Sequence, residues 1–93
     1  MIQLMSQKEA KSIREVDYTD LRIPAVVIYD SPDDFPGCVV GRVFELFSGL
    51  PTDTFIRYQT IEEAEADMKG KAAAVFPREK TDAKAIVCTY LLG

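Results

Sequence analysis

Short apolar runs rich in β-branched residues, separated by turn-forming residues, dominate this chain, and two stretches repeat instead at helical spacing. The first is "SQKEAKSIREV", in which Ser6 and Glu9 stand at the spacing of a capping box and Met5 is placed to staple against Ala10. Ala10 and Ile13 share a face, so the pattern predicts a helix from about Gln7 to Val16 with a thin apolar stripe, docked at an edge or on the surface. The second is "TIEEAEADMKG", capped by Thr60 with Glu63, with Ile61, Ala64 and Met68 as its buried stripe. Acidic residues crowd its first turns, where the helix dipole favours them, and Gly70 stands where a left-handed cap residue would end it.

The remaining runs predict strands. "RIPAVVIYD" is apolar on both pleat faces from Ala25 to Tyr29, which suits a central strand with Pro24 at its start. "CVVGRVFELF" predicts a second strand over about Val39–Phe47, with Gly41 marking a bulge or a close approach. "SGLPTD" is turn chemistry and "TFIRYQ" a third strand, so these three form an antiparallel meander. "AAAVF" and "AKAIVCTYLL" add two strands around the polar loop "PREKTD". The predicted fold class is therefore α+β, in the order α-β-β-β-α-β-β: one mixed, mostly antiparallel sheet with a helix on one face. The helix 60–69 acts as a crossover that lets the next strand run parallel to an earlier one. The expected organisation is a single domain over residues 1–93, with 1–22 a helical extension and 23–93 the core.

Composition narrows the chemistry. Eleven basic and fifteen acidic residues give a net charge of −4, and no basic stripe is available to neutralise phosphates. No apolar run approaches the ~20 residues of a membrane span, and no charged-then-apolar leader opens the chain, so a cytoplasmic location is expected. There is no histidine, which removes the usual general base and the common metal ligand sets. Cys38 and Cys88 both sit within apolar runs and read as small buried hydrophobes. Neither a phosphate-binding loop nor a dinucleotide fingerprint is present. No enzyme activity, cofactor or metal is expected.

Three groups remain as candidate binding residues. The loop "DSPDDFPG" carries Asp33 and Asp34; Ser31–Asp34 suits a type I turn and Pro36-Gly37 a type II turn, so each unusual residue already has a geometric task. Glu62, Glu63 and Asp67 form an acidic ridge on the second helix, a solvated face or a surface for a basic partner. Arg42 and Arg57, with Tyr58 beside Arg57, could bind a carboxylate or phosphate if their strands pair; the plainer reading is cross-strand packing and a pair between Arg42 and Glu45.

The pieces "VVIYDSPDDFPGCVVGRVFEL", "LPTDTFIR" and "TIEEAEADM" resemble small uncharacterised proteins of bacteria and their phages and mobile elements. The resemblance implies a bacterial or phage setting and no particular activity. The expectation is a small acidic, non-enzymatic interaction module: an accessory, regulatory or inhibitory protein that binds another protein, without direct contact to nucleic acid or membrane. The alternative is a small-molecule binder or enzyme with its site between subunits of a homo-oligomer. Self-assembly through an edge strand such as Ala85–Leu92 is a further expectation.

Overall fold

The structure is a computed structural model that describes residues 7–80 and 84–93. Six strands form one sheet: β1 (Lys8–Ala10), β2 (Pro24–Asp30), β3 (Val39–Glu45), β4 (Leu50–Tyr58), β5 (Ala72–Pro77) and β6 (Ile86–Leu92). Their spatial order is β1-β4-β3-β2-β6-β5. The β2-β3-β4 meander is antiparallel, β6 lies antiparallel to both β2 and β5, and β1 runs parallel to β4. Among the described residues there is one α-helix, α1 (Ile61–Met68), which carries the chain from β4 across the sheet to β5.

The molecule is thus mostly β, and the α+β reading with two helices does not hold. Lys8–Ala10 is a strand rather than the middle of a helix, and Ile13–Glu15 is a short 3₁₀ turn. Local propensity favoured a helix there, but pairing with β4 satisfies the backbone and lets Glu9 meet Arg57. Ser6 and Met5, on which the first cap was argued, lie outside the described residues. The second helix forms where its pattern places it: Thr60 Oγ1 accepts from the Glu63 N–H at 3.1 Å. The Glu63 carboxylate reaches back one residue further than a capping box requires, to the Gln59 N–H at 3.3 Å. Lys69 ends the helix in right-handed geometry, so Gly70 is not a left-handed cap. β5 is oriented parallel to β4 but four strands away, and the mixed character of the sheet comes from β1 instead. β4 begins at Leu50, earlier than the turn chemistry of "SGLPTD" suggests.

Period-two alternation divides the sheet into two faces. On one, Val26, Ile28, Val39, Val43, Ile56, Tyr58 and Leu92 pack beneath Ala64 and Met68 of α1. Ile13, from the 3₁₀ turn, is fully buried in the same core. Burying a side chain of this size stabilises the fold by about 1.5–3 kcal/mol. Gly41 lies in the middle of this face where space is tight: a Cβ would stand 3.0 Å from Val26 Cγ1 and 3.3 Å from Ile28 Cδ1, so those side chains would have to give way. The opposite face carries Ala25, Val27, Tyr29, Val40, Arg42, Phe55 and Arg57, in register across β2, β3 and β4. Among the described residues no helix or strand crosses it. Central β2 is buried on both faces, as its apolar run implies.

Candidate functional site

The open face acquires its features from the loop between β2 and β3. Ser31 adopts a left-handed conformation, φ 52°, and its hydroxyl accepts from the Gly37 N–H at 2.8 Å. Phe35 N–H bonds back to the Pro32 carbonyl, so the first turn starts one residue later than the type I turn read from Ser31. Phe35–Cys38 then forms the expected second turn, with Gly37 at φ 79° where a type II turn needs glycine. The result folds the acidic loop back onto the sheet. Phe35 lands on Phe55 with ring centroids 4.9 Å apart, and the Asp34 carboxylate pairs with the Arg42 guanidinium.

Arg42 and Arg57 stand on this same face, one residue pair apart across β3 and β4. Arg57 donates through both Nε and Nη2 to the two Glu9 carboxylate oxygens, at 3.2 and 2.7 Å, and so ties β1 to β4. Its guanidinium lies 5.3 Å from the centroid of Phe35; that of Arg42 lies 5.8 Å from Tyr29. The Arg57 hydrogen bond holds the Glu9 carboxyl below its ordinary pKa against a small opposing effect of burial, and Glu9 in turn raises Arg57. Each guanidinium is therefore held by a carboxylate and faces an aromatic ring: a fixed, planar, charged patch on a face that no described helix or strand crosses.

Tyr58 is not part of this patch. It neighbours Arg57 in sequence, so alternation turns it to the opposite, helix-bearing face, where it is 7% exposed. There its hydroxyl donates to Asp67 Oδ2 at 2.6 Å. Asp67 also accepts from the Ile13 N–H at 2.8 Å and from the Ser12 hydroxyl at 2.5 Å. Burial raises the Asp67 carboxyl, but Ser12, Tyr58, Ile13 and the charge of Arg14 together hold it below its ordinary value. Burial and the bond to Asp67 push the Tyr58 phenol well above the usual tyrosine range. Asp67 accordingly clasps the start of the chain to α1 and β4 and leaves the acidic ridge, in which Glu62 and Glu63 stay exposed. Asp33 is exposed at the loop tip, and Arg42 pairs with Asp34 rather than with Glu45. Glu45 instead accepts the backbone N–H groups of Arg22, Ile23 and Phe47.

Sequence reasoning missed two things here. The Asp67 clasp joins residues more than fifty positions apart; its one local signal is that Asp67 follows Ala64 by three residues and so borders the buried stripe. The other is an apolar tip at one end of the sheet, where Phe47 and Leu50 are each 63% exposed and the Arg22 guanidinium covers the Phe47 ring at 4.4 Å. Apolar residues inside the turn "LFSGL" were its signal.

Cys38 and Cys88 are free, half-buried thiols on opposite faces. Among the described residues no three carboxylates or thiols gather as metal ligands would, and no helix is long and apolar enough to cross a membrane. Three shallow depressions, near Glu15 and Asp17, near Ser31 and Asp33, and near Glu62 and Tyr90, include none of Arg42, Arg57 and Tyr58. No protein-family model, curated protein or solved structure matches the chain.

Proposed function

We propose that this chain is a non-enzymatic interaction module that binds another protein through the open face of its sheet. The observation that carries the reading is the asymmetry of the two faces. One is closed by α1 and the 3₁₀ turn; the other, crossed by no helix or strand among the described residues, holds Arg42 and Arg57 in place beside aromatic rings above the buried Val27, Val40 and Phe55. Fixed guanidinium groups and aromatic rings are what protein interfaces concentrate, because they bury area at little entropic cost. Their pairing with Asp34 and Glu9 suits exchange with a partner's carboxylates, and the net negative charge of the chain disfavours a polyanion. An accessory or inhibitory role in a bacterial or phage setting fits the resemblance and belongs to the same proposal.

The test compares two surfaces. Arg42→Glu alters the open face, and Glu62→Lys alters the exposed side of α1. Each is used, after its fold has been checked by circular dichroism, to capture proteins from bacterial lysate beside the unaltered chain. Loss of a specifically retained protein with Arg42→Glu, and its retention with Glu62→Lys, supports the reading. The reverse pattern overturns it in favour of the acidic helix, and failure of the unaltered chain to retain any defined protein overturns the binding role itself.

A further inference from the structure

The two edges of the sheet are β1 and β5; β6, which the sequence suggests as an open edge, lies between β2 and β5. The segment that carries β1 is attached unequally along its length. Just after β1, the Ser12 hydroxyl and the Ile13 N–H bond to Asp67, and Ile13 is fully buried. β1 itself is three residues in a parallel ladder on β4, and Lys8 and Glu9 are exposed. Among the described residues, its only side-chain hydrogen bonds are those that Glu9 accepts from Arg57. The two side chains of that pair are 45% and 43% exposed, and an ion pair so open to water adds little net stability. β1 is thus the weakly held part of a firmly anchored segment, the kind of element that opens locally while the rest of a fold stays closed.

What β1 holds is Arg57. Glu9 sits opposite Phe55, and its carboxylate reaches diagonally to Arg57, the next residue of β4 on the same face. It takes the Nε–Nη2 edge of the guanidinium, which grips a carboxylate with two parallel bonds. Arg57 has other support: the Phe35 ring lies 5.3 Å from its guanidinium, and the Cys38 thiol lies against it. Both belong to the loop between β2 and β3, which stays in place when β1 leaves. Opening of β1 therefore frees a bidentate edge that is already aimed.

We infer that β1 is an autoinhibitory strap: Glu9 occupies the Arg57 edge that a partner's carboxylate would use, and the partner binds when β1 opens. This regulation rests on the open face being the binding surface. The opening also uncovers the outer backbone of β4 at residues 54–56, so the partner segment best matched is extended and carries an aspartate or glutamate. Apparent affinity is the intrinsic affinity multiplied by the open fraction. While the closed form dominates, whatever raises the opening equilibrium raises binding by the same factor.

Hydrogen exchange, followed residue by residue by NMR, and capture from bacterial lysate at low loading test this together. In the unaltered chain, the Lys8–Ala10 amides that bond to β4 should be less protected than those of β2 and β3. Glu9→Gln should lower β1 protection about two- to fivefold, the worth of one exposed ion pair, and raise the amount of the specifically retained protein by the same factor. Protection in β2 and β3 should not change. Lys8→Gln, in the same strand but away from Arg57, should alter neither reading. β1 amides as protected as those of β2 overturn the strap, since the strand then opens only with the whole fold. Lower protection with no gain in retention overturns the inhibition and leaves the open-face reading standing. No protein retained by either chain overturns that reading, and this regulation with it.

Discussion

At the scale of single residues, the structure rests on a few tightly surrounded positions. Gly41 is one: the closest heavy atoms to an added Cβ are Val26 Cγ1, Ile28 Cδ1 and Tyr58 Cε2, at 3.0–3.4 Å, all in the core. Gly41→Ala is expected to lower stability by about 1–3 kcal/mol through overpacking, read as an earlier urea midpoint with an unchanged slope. Asp67 is another, and it shows what a helical wheel omits. A carboxylate beside the buried stripe was counted with Glu62 and Glu63 because it is charged, yet donors from distant Ser12 and Ile13 and from Tyr58 of β4 draw it inward. Arg57 and Tyr58 give the opposite lesson. Their separation onto two faces follows from strand alternation alone and was already legible in "FIRYQ".

At the scale of elements, what could be read depended on length. The long apolar runs of β2, β3 and β6 show a period or its absence clearly, and these strands form. Helix α1 was legible because its cap, stripe and charges agree. Thr60→Ala removes the acceptor for Glu63 N–H and is expected to destabilise the chain by about 1 kcal/mol, measured by thermal or urea unfolding. β1 was not legible. Three residues cannot display a period, and their pairing with residues more than forty positions away is decided by β4, not by their own preferences. The position of β6 was misread for a related reason. Chain order suggested an edge, but "IVCTYLL" is apolar on both pleat faces, which marks an interior strand, while the alanine-rich β5 takes the outside.

At the scale of the whole molecule, carboxylates govern how stability responds to acid. Glu9 is lowered by Arg57, and Asp17 by Thr19. Burial works against Glu45 and Asp67, but three backbone N–H groups and the Ser12–Tyr58–Ile13 set respectively bring both below the ordinary range. A native pKa below the unfolded value of about 4 contributes stability that is complete above that value and is lost as pH falls through the native one. Urea midpoints are therefore expected to hold steady from neutral pH to about 5 and to fall toward pH 3, with a shallower fall in Asp67→Asn. The Asp67 clasp has one more effect, on the order of events. Ser12 and Ile13 leave the ribosome more than fifty residues before the carboxylate that will hold them, and β1 precedes β4 by a similar stretch. Ser12 and Ile13 must therefore wait for their contacts until the later segment that shelters them has been synthesised, so they are among the last residues of this fold to settle.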